Sequence, residues 1–552
     1  MADSSSTELS DQVLTETKSN GEVTAPDDVD PPKQDEYLGG ARLLCIVISM
    51  MLAVFCVALD NTIIATAIPH MTDTFKTVDD IGWYGSAYLL TTCSFQLLYV
   101  KFFRAFNVKW VFLLALFIFE VGSAICGAAP SSTSFIVGRA IAGLGAAGIF
   151  TGATTITAIV APLRLRPIIA GLLGGLFGIC SILGPLLAGV FTSKATWRWC
   201  FYINLPIGAL TTIGIGFLLH IRQTFTKASG NAWQVFSYFD PLGNTFFISA
   251  IICLLLALHW GGDAYPYSNG RIIALFVLFG LLLIGFIIVQ VRRSEDATVP
   301  PRVAKQRSIQ FVLLFAFSLG GTIFPIVYYL AVWFQVVKNL SPILSAVHTL
   351  PLILSQLCGN IVAGILTSRF GYYVPFIWAS AILMPLGAGL ITTTTVNISL
   401  AKSFGYQILL GFGFGFGFQQ GAVTCQTVLP AADTPIGTSV TFSAQLLGGA
   451  IFLSAAQNLF ASHLSAAISA MHIPGVTGGI LAQAGATDIR QIVPAEYVDA
   501  VLVAYNNSIV KVYQLALIMS CLAILGAVGV EWRSVLAKPT EETTTAESEE
   551  SA

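Results

Sequence analysis

The chain is 552 residues long, 55% hydrophobic and 10% charged, with a net charge of −2. Soluble domains carry about 25% charged residues, so most of this chain is kept from water, and the near-neutral balance excludes a nucleic-acid partner. Ten scattered cysteines without a CxxC pair, and histidines without ligand spacing, exclude a disulfide frame and give no metal site.

The first ~36 residues are polar, acidic and proline-bearing, and they read as a disordered tail rather than a signal peptide. Fourteen runs then follow that are apolar and long enough to cross a bilayer as helices. They lie at 42–66, 84–101, 110–129, 134–160, 168–192, 200–220, 242–260, 272–291, 309–336, 343–366, 374–394, 404–426, 436–460 and 509–531. The fold class is therefore an all-α polytopic membrane protein.

Ionisable residues inside such runs cost about 2.5–3.5 kcal/mol each and face a bundle interior or a water cavity. Span 1 holds Asp60 in "VALDNTIIATAIPH", span 3 holds Glu120 in "FIFEVGSAICG", and span 4 holds Arg139 in "IVGRAIAGLGAAG". Asp60 and Arg139 are the candidate functional pair, with a purely structural ion pair as the competing reading. Glu120 reads as a packing feature against a polar neighbour. Span 5, "GICSILGPLLAGVF", sets Gly178, Gly184, Pro185 and Gly189 in one helix. The proline removes a helix hydrogen bond and bends the axis, and the glycines let another helix press on the bend. Asp240 and Asp263 flank span 7, where a solvated carboxylate is expected.

Neutral amides gather in spans 10, 12 and 13. Gln356, Asn360, Gln419, Gln420 and Gln445 are candidates to line a central cavity. For any single one, an interhelical hydrogen bond of about 0.6 kcal/mol is the alternative. Span 12 also contains "GFGFGFGFQQ". A phosphate loop needs a preceding strand and a Lys-Ser/Thr ending, and the chain has no Gly-Lys dipeptide at all. As a membrane helix, Gly411 with Gly415, and Gly413 with Gly417, form two ridges of small residues. Such a helix suits either a moving part or tight static packing. The loop at about 461–508 and the acidic tail show no catalytic constellation, so neither a catalytic residue nor a cofactor is expected.

Basic residues set the orientation. Eighteen Lys and Arg fall in the loops and tails of one side, eight on the other, and Arg139 lies within a span. Both termini are expected in the cytosol. Three Asn-x-Ser/Thr sequons, at Asn339, Asn397 and Asn506, fall on the outer side and are candidate glycosylation sites.

Across about residues 42–535 the chain resembles the major facilitator superfamily, in particular its 14-span drug:H⁺ antiporter branch and the fungal toxin and multidrug efflux pumps within it. "LDNTIIATAIP", "VGRAIAGLGAAG", "GPLLAG", "WRWCFYINLPIG", "ALHWGGDAYPYSNGR", "YYLAVWFQVVKNLSPILSAVHTLPL" and "GFGFGFGFQQ" carry the resemblance. There are departures. The loop after span 2, "VKFFRAFNVK", has Val100 for a glycine and Arg104 where the family has an acid, and Cys180 stands for the leading glycine of the span-5 signature. The matching loop of the second half, "GILTSRFGYY", keeps Gly364, Arg369 and Gly371, as two halves related by a parallel repeat would.

The resemblance implies a major facilitator fold, two six-helix bundles plus two extra inserted helices. The expected division is a cytosolic tail at 1–40, a bundle at 41–220, the inserted helices and linker at 221–300, a second bundle at 301–535 and a tail at 536–552. It implies a proton-coupled efflux transporter for amphipathic small molecules, with Asp60 and Arg139 in the coupling. It also implies a monomer in the lipid bilayer of the plasma membrane, the vacuolar membrane being the alternative. A nutrient, polyol or siderophore carrier of the same fold is the second functional reading.

Overall fold

In hydrocarbon each spanning segment must satisfy its own backbone N–H and C=O groups, which makes the helix the unit of construction. The computed structural model describes residues 40–75, 81–219, 238–261, 265–294, 297–430, 433–473 and 493–536. Among them the chain forms fourteen long helices. They are α1 Gly40–Phe75, α2 Ile81–Ala105, α3 Val108–Ala128, α4 Ser132–Val160, α5 Arg166–Lys194, α6 Asn204–Leu218, α7 Pro241–Trp260, α8 Gly270–Arg293, α9 Arg307–Val336, α10 Pro342–Phe370, α11 Val374–Ile391, α12 Leu400–Phe418, α13 Thr434–Met471 and α14 Val498–Val528. A single turn, Trp199–Tyr202, precedes α6, and α12 resumes after Gln419 as Gln420–Val428. The expected tails and Asp263 lie outside the described residues.

Thirteen of these spans are long and apolar enough to cross a membrane. The exception is α2, whose apolar run is interrupted by Thr91, Thr92, Ser94, Gln96 and Lys101. It packs against α4, α7 and α13, so its polar side chains meet protein. The helix starts are written locally. Asn107, Ser131, Asn269, Ser341 and Ser399 each accept a backbone N–H of the first turn. Proline opens α5, α7, α10, α11 and α13, where its missing N–H costs nothing.

Three expectations change. Asp240 is fully buried rather than solvated. Its left-handed backbone, φ 48°, caps α7 and turns the carboxylate toward the end of α8. There Gln290 Nε2 donates at 2.8 Å and Thr298 Oγ1 at 3.0 Å, and Arg293 pairs at 3.3 Å. These donors replace water and clamp the α7–α8 hairpin. The last helix begins at Val498 rather than near 509, and α13 runs on to Met471, so the loop between them is shorter than expected. Asn506 consequently sits inside α14. It is buried, accepts from Trp333 Nε1 at 2.8 Å and donates to Thr394 O at 3.1 Å. It ties α9 and α14 to the turn that follows α11 and is unavailable to a glycosyltransferase. Asn339 and Asn397 are exposed in loops.

The helices pair in a repeating pattern. α1 packs on α5 and α6, α2 on α4, α3 on α4 and α6; eight helices later α9 packs on α13 and α14, α10 on α12, α11 on α12 and α14. This is a parallel repeat of six helices, with α7 and α8 between the copies. Much of α8 is exposed and apolar, including Val277, Leu281, Ile284 and Val291, as a lipid-facing helix is.

The two halves touch through two related seams, α5 on α10 and α2 on α13. Both seams lie toward the end of the molecule where α1 begins and α14 finishes, here the tail end. A Cβ on Gly171 would meet Asn360 O at 2.8 Å, and one on Gly364 would meet Pro167 O at 2.6 Å. Ser443 Oγ donates to Gln96 Oε1 at 3.2 Å, and Val100, Val303 and Ile436 form a small apolar cluster. Val100 and Ile436 thus cover the position where the family's polar loop departs in this sequence. Beside them Arg302 and Asp433 pair through two bonds of 2.9 Å, which hold the guanidinium above its ordinary pKa. At the far end, the ties from Trp197 Nε1 to Thr74 Oγ1, Arg198 to Gly127 O and Lys338 to Val396 O each stay within one half.

Candidate transport site

The charged core belongs to the first half. Asp60 of α1 and Arg139 of α4 are both fully buried and form an ion pair. The small face of α4 allows this. Gly138 and Gly145 sit against α3, and Gly143 sits against Tyr88 O of α2, so α4 lies deep among its neighbours and its one charged side chain, Arg139, is buried with them. Arg139 also donates from Nε to Tyr84 O at 2.8 Å, and its guanidinium lies 4.4 Å from the centre of the Tyr88 ring. The planar fork thus meets a carboxylate, a carbonyl and an aromatic face at once. Removing one partner of such a buried pair typically costs about 3–5 kcal/mol.

A third residue reaches the pair. Asn204, in the first turn of α6, donates to Ser123 Oγ at 3.2 Å and lies 3.5 Å from Asp60 Oδ1. It was present in the quoted stretch "WRWCFYINLPIG", but nothing in its spacing marked it as a partner of Asp60. Its signal was an amide among apolar residues where a span begins.

The candidate amides are only partly brought together. Gln419 lines a cavity between the halves with Val54, Phe150, Phe177, Phe418 and Gln426. The space open to water there is about 20 Å³, enough for a water molecule and too little for an organic cargo. Asn360 is buried in the α5–α10 seam, and neither atom of its amide has a hydrogen-bond partner. Gln420 is buried with Oε1 unpartnered, Gln445 is buried and presents its backbone O to Gly320, and Gln356 presents its backbone O to Gly415. None of these four lines the cavity. Gln426, another of the neutral amides of the spans, does.

The glycines of span 12 divide as two ridges. Gly411 and Gly415 meet Leu352 O and Gln356 O of α10, while Gly413 and Gly417 meet Met384 N and Ser380 Oγ of α11, all at 2.3–2.5 Å from an added Cβ. In α5, Gly184 takes Thr62 of α1, whose Oγ1 lies 2.9 Å from Cys180 O, close to the bond that Pro185 removes. Gly178 makes ordinary contact with Ile353. Gly189 is not shown to carry such a contact: among the described residues a Cβ there would meet nothing within 4 Å.

A model of the Major Facilitator Superfamily matches residues 50–453. The chain belongs to this superfamily. Along nearly its whole length it is similar to curated superfamily proteins of fungi. It is 54% identical to the efflux pump aflT of Aspergillus parasiticus over 90% of this chain and 97% of that one. It is 47% identical to the MFS-type efflux pump MFS1 of Arthroderma benhamiae over 92% and 94%. It is 46% identical to the MFS-type transporter phomT of Diaporthe leptostromiformis over 92% and 86%. Among solved structures it shares the fold of the human organic anion transporter MFSD10, with TM-score 0.56 and 14% identity over 87% of this chain and all of that one. It also shares that of the proton:xylose symporter XylE, with TM-score 0.54 and 13% identity over 89% and 97%. As a major facilitator protein the chain is a multi-pass membrane protein with two six-helix repeats. Its Asp60–Arg139 pair lies wholly in the first repeat, and the cavity beside Gln419 lies between the two.

Proposed function

We propose that this chain is a proton-coupled efflux transporter that exports amphipathic small molecules, secondary metabolites or xenobiotics, by alternating access. The observation that carries the reading is the buried Asp60–Arg139 pair in a chain whose relatives, matched nearly end to end, are named efflux pumps. In low dielectric the pair holds only while the acid is ionised. A proton on Asp60 removes its attraction for Arg139 and shifts the balance between conformations. The excess of basic residues on the tail side supports cytosolic termini. The state described here, with its inter-half seams at the tail end, is then closed to the cytosol. The reading includes a monomer in the plasma membrane.

The test uses purified protein in sealed vesicles with ethidium and rhodamine 6G as aromatic amphiphilic probes. An acidic interior should drive dye accumulation in protein-containing vesicles only, and collapsing the pH gradient should abolish it. Accumulation that ignores the gradient, or that requires ATP, would sink the proposal.

Orientation has its own expected result. Peptide N-glycosidase should sharpen the band of the protein expressed in a fungal host, and replacing Asn397 and Asn339 by Gln should remove that shift. Asn506→Gln should leave it unchanged, because Asn506 is buried.

A further inference from the structure

Glu120 is an ionisable group of the charged core that the ion pair leaves unused. Both its carboxylate oxygens are buried, and neither has a hydrogen-bond partner. It stands on α3 directly over α6, where a Cβ built on Gly208 would come 1.9 Å from its Oε1. In this rotamer the carboxyl fills the space that a side chain at 208 would take. One helical turn along each helix, Ser123 and Asn204 bond to each other, and Asn204 reaches on toward Asp60. Glu120 and Asp60 are therefore set along one polar seam that crosses from α3 through α6 to α1 and ends at Arg139. The titratable groups around Glu120 are Asp60 and Cys56 of α1, with Arg139 of α4 beyond them; α6 contributes none.

The seam contains two carboxyls and one cation. Arg139 is committed to Asp60, to Tyr84 O and to the Tyr88 ring. An ionised Glu120 would be an unpaired buried charge beside a like charge, the costliest arrangement a nonpolar interior can hold. One cation compensates one carboxylate, so the other carboxyl must hold a proton.

We infer that Glu120 is a second proton-exchanging group of the coupling site, carrying the proton in the state described here while Asp60 is ionised on Arg139. The step is a proton transfer alone. An O–H bond forms on Glu120 at uptake and breaks at release, and no electron is exchanged. The inference rests on the proton coupling proposed above. It adds a second proton-binding carboxyl to the one that the ion pair provides.

The experiment compares two reactions of the reconstituted protein: uphill ethidium accumulation driven by a pH gradient, and ethidium exchange at equal pH on both sides, which needs no net proton movement. Glu120→Gln keeps the shape of the side chain. It should lower uphill accumulation by about tenfold or more while exchange falls less than about twofold and loses the part of its pH dependence that Glu120 contributes. Glu120→Asp, which keeps a carboxyl, should restore the pH dependence of exchange. A wild-type protein indifferent to the gradient would overturn proton coupling and this inference with it. A proton-driven wild type matched by Glu120→Gln, with an unchanged pH profile, would overturn this inference alone. Equal loss of exchange and accumulation in both variants would assign Glu120 to packing on α6 and also overturn it.

Discussion

Asp60→Asn and Arg139→Ala should each abolish export driven by a pH gradient while the protein still reaches the membrane. The two substitutions act on the same pair with different side effects. Asp60→Asn keeps the volume and an acceptor for Arg139, and the guanidinium retains Tyr84 O and the Tyr88 ring. Its cost falls mainly on coupling. Arg139→Ala leaves the Asp60 carboxylate buried with, among the described residues, only Asn204 at 3.5 Å, and also empties the space of a large side chain. It should therefore lose about 3–5 kcal/mol of fold stability as well, read as a lower thermal midpoint of the purified protein. The double variant Asp60→Asn with Arg139→Gln removes both charges. It should be more stable than Arg139→Ala alone and equally unable to couple, because two neutral amides can pair but cannot be switched by a proton. Arg139→Lys should fail too, since a point charge cannot serve a carboxylate, a carbonyl and a ring face together. Dye transport in vesicles and surface labelling in cells are the measurements. Wild-type transport by Asp60→Asn or by Arg139→Ala would show the pair to be a structural tie.

The spans were legible because hydrocarbon makes one demand, an apolar length, and the sequence meets it run by run. The reading weakened wherever a helix faces protein instead of lipid. The first turns of α14, "VDAVLVAYNN", contain polar residues, yet Tyr505 and Asn506 are buried against other helices; hydropathy counts them as a loop. The same substitution of protein for lipid keeps α2 below the apolar threshold and explains its Gln96, which pairs with Ser443 across the halves. The acid and base of the core were legible singly, since each is costly in a membrane, and their resemblance to family positions joined them. What lies beside them was not legible. Asn204 and Glu120 lie far apart in sequence, and only the packing of α3 on α6 brings them into one seam. Asp240 misled for a related reason. A carboxylate at a span end is normally solvated, but here a left-handed turn points it at donors from a segment more than forty residues away.

Gly171→Leu and Gly364→Leu should each reduce transport by about tenfold or more without unfolding the protein. The reason lies in what the added atoms would meet. At both positions the nearest obstacle is a backbone carbonyl of the opposite half, Asn360 O or Pro167 O, and a carbonyl cannot swing aside as a side chain can. The halves must instead separate along the α5–α10 seam. Overpacking of this kind costs about 1–3 kcal/mol, but the cost falls on one conformation only. Each half keeps its own core, since every atom that an added Cβ would meet at these two positions belongs to the opposite half. The penalty should therefore appear as a shift in population away from the tail-closed state, by about a factor of ten for each 1.4 kcal/mol. Gly145→Leu provides the contrast. Its Cβ would meet Phe119 N at 2.4 Å and Ala115 O at 2.6 Å, both inside the first half, so its cost falls on every conformation and should appear as loss of folded protein. A cysteine at Thr154, which lines the cavity between the halves, reports the difference. It should react faster with a membrane-permeant maleimide in the Gly171→Leu and Gly364→Leu backgrounds than in the parent. Unchanged labelling together with wild-type transport would mean that the seam is not what closes the tail end.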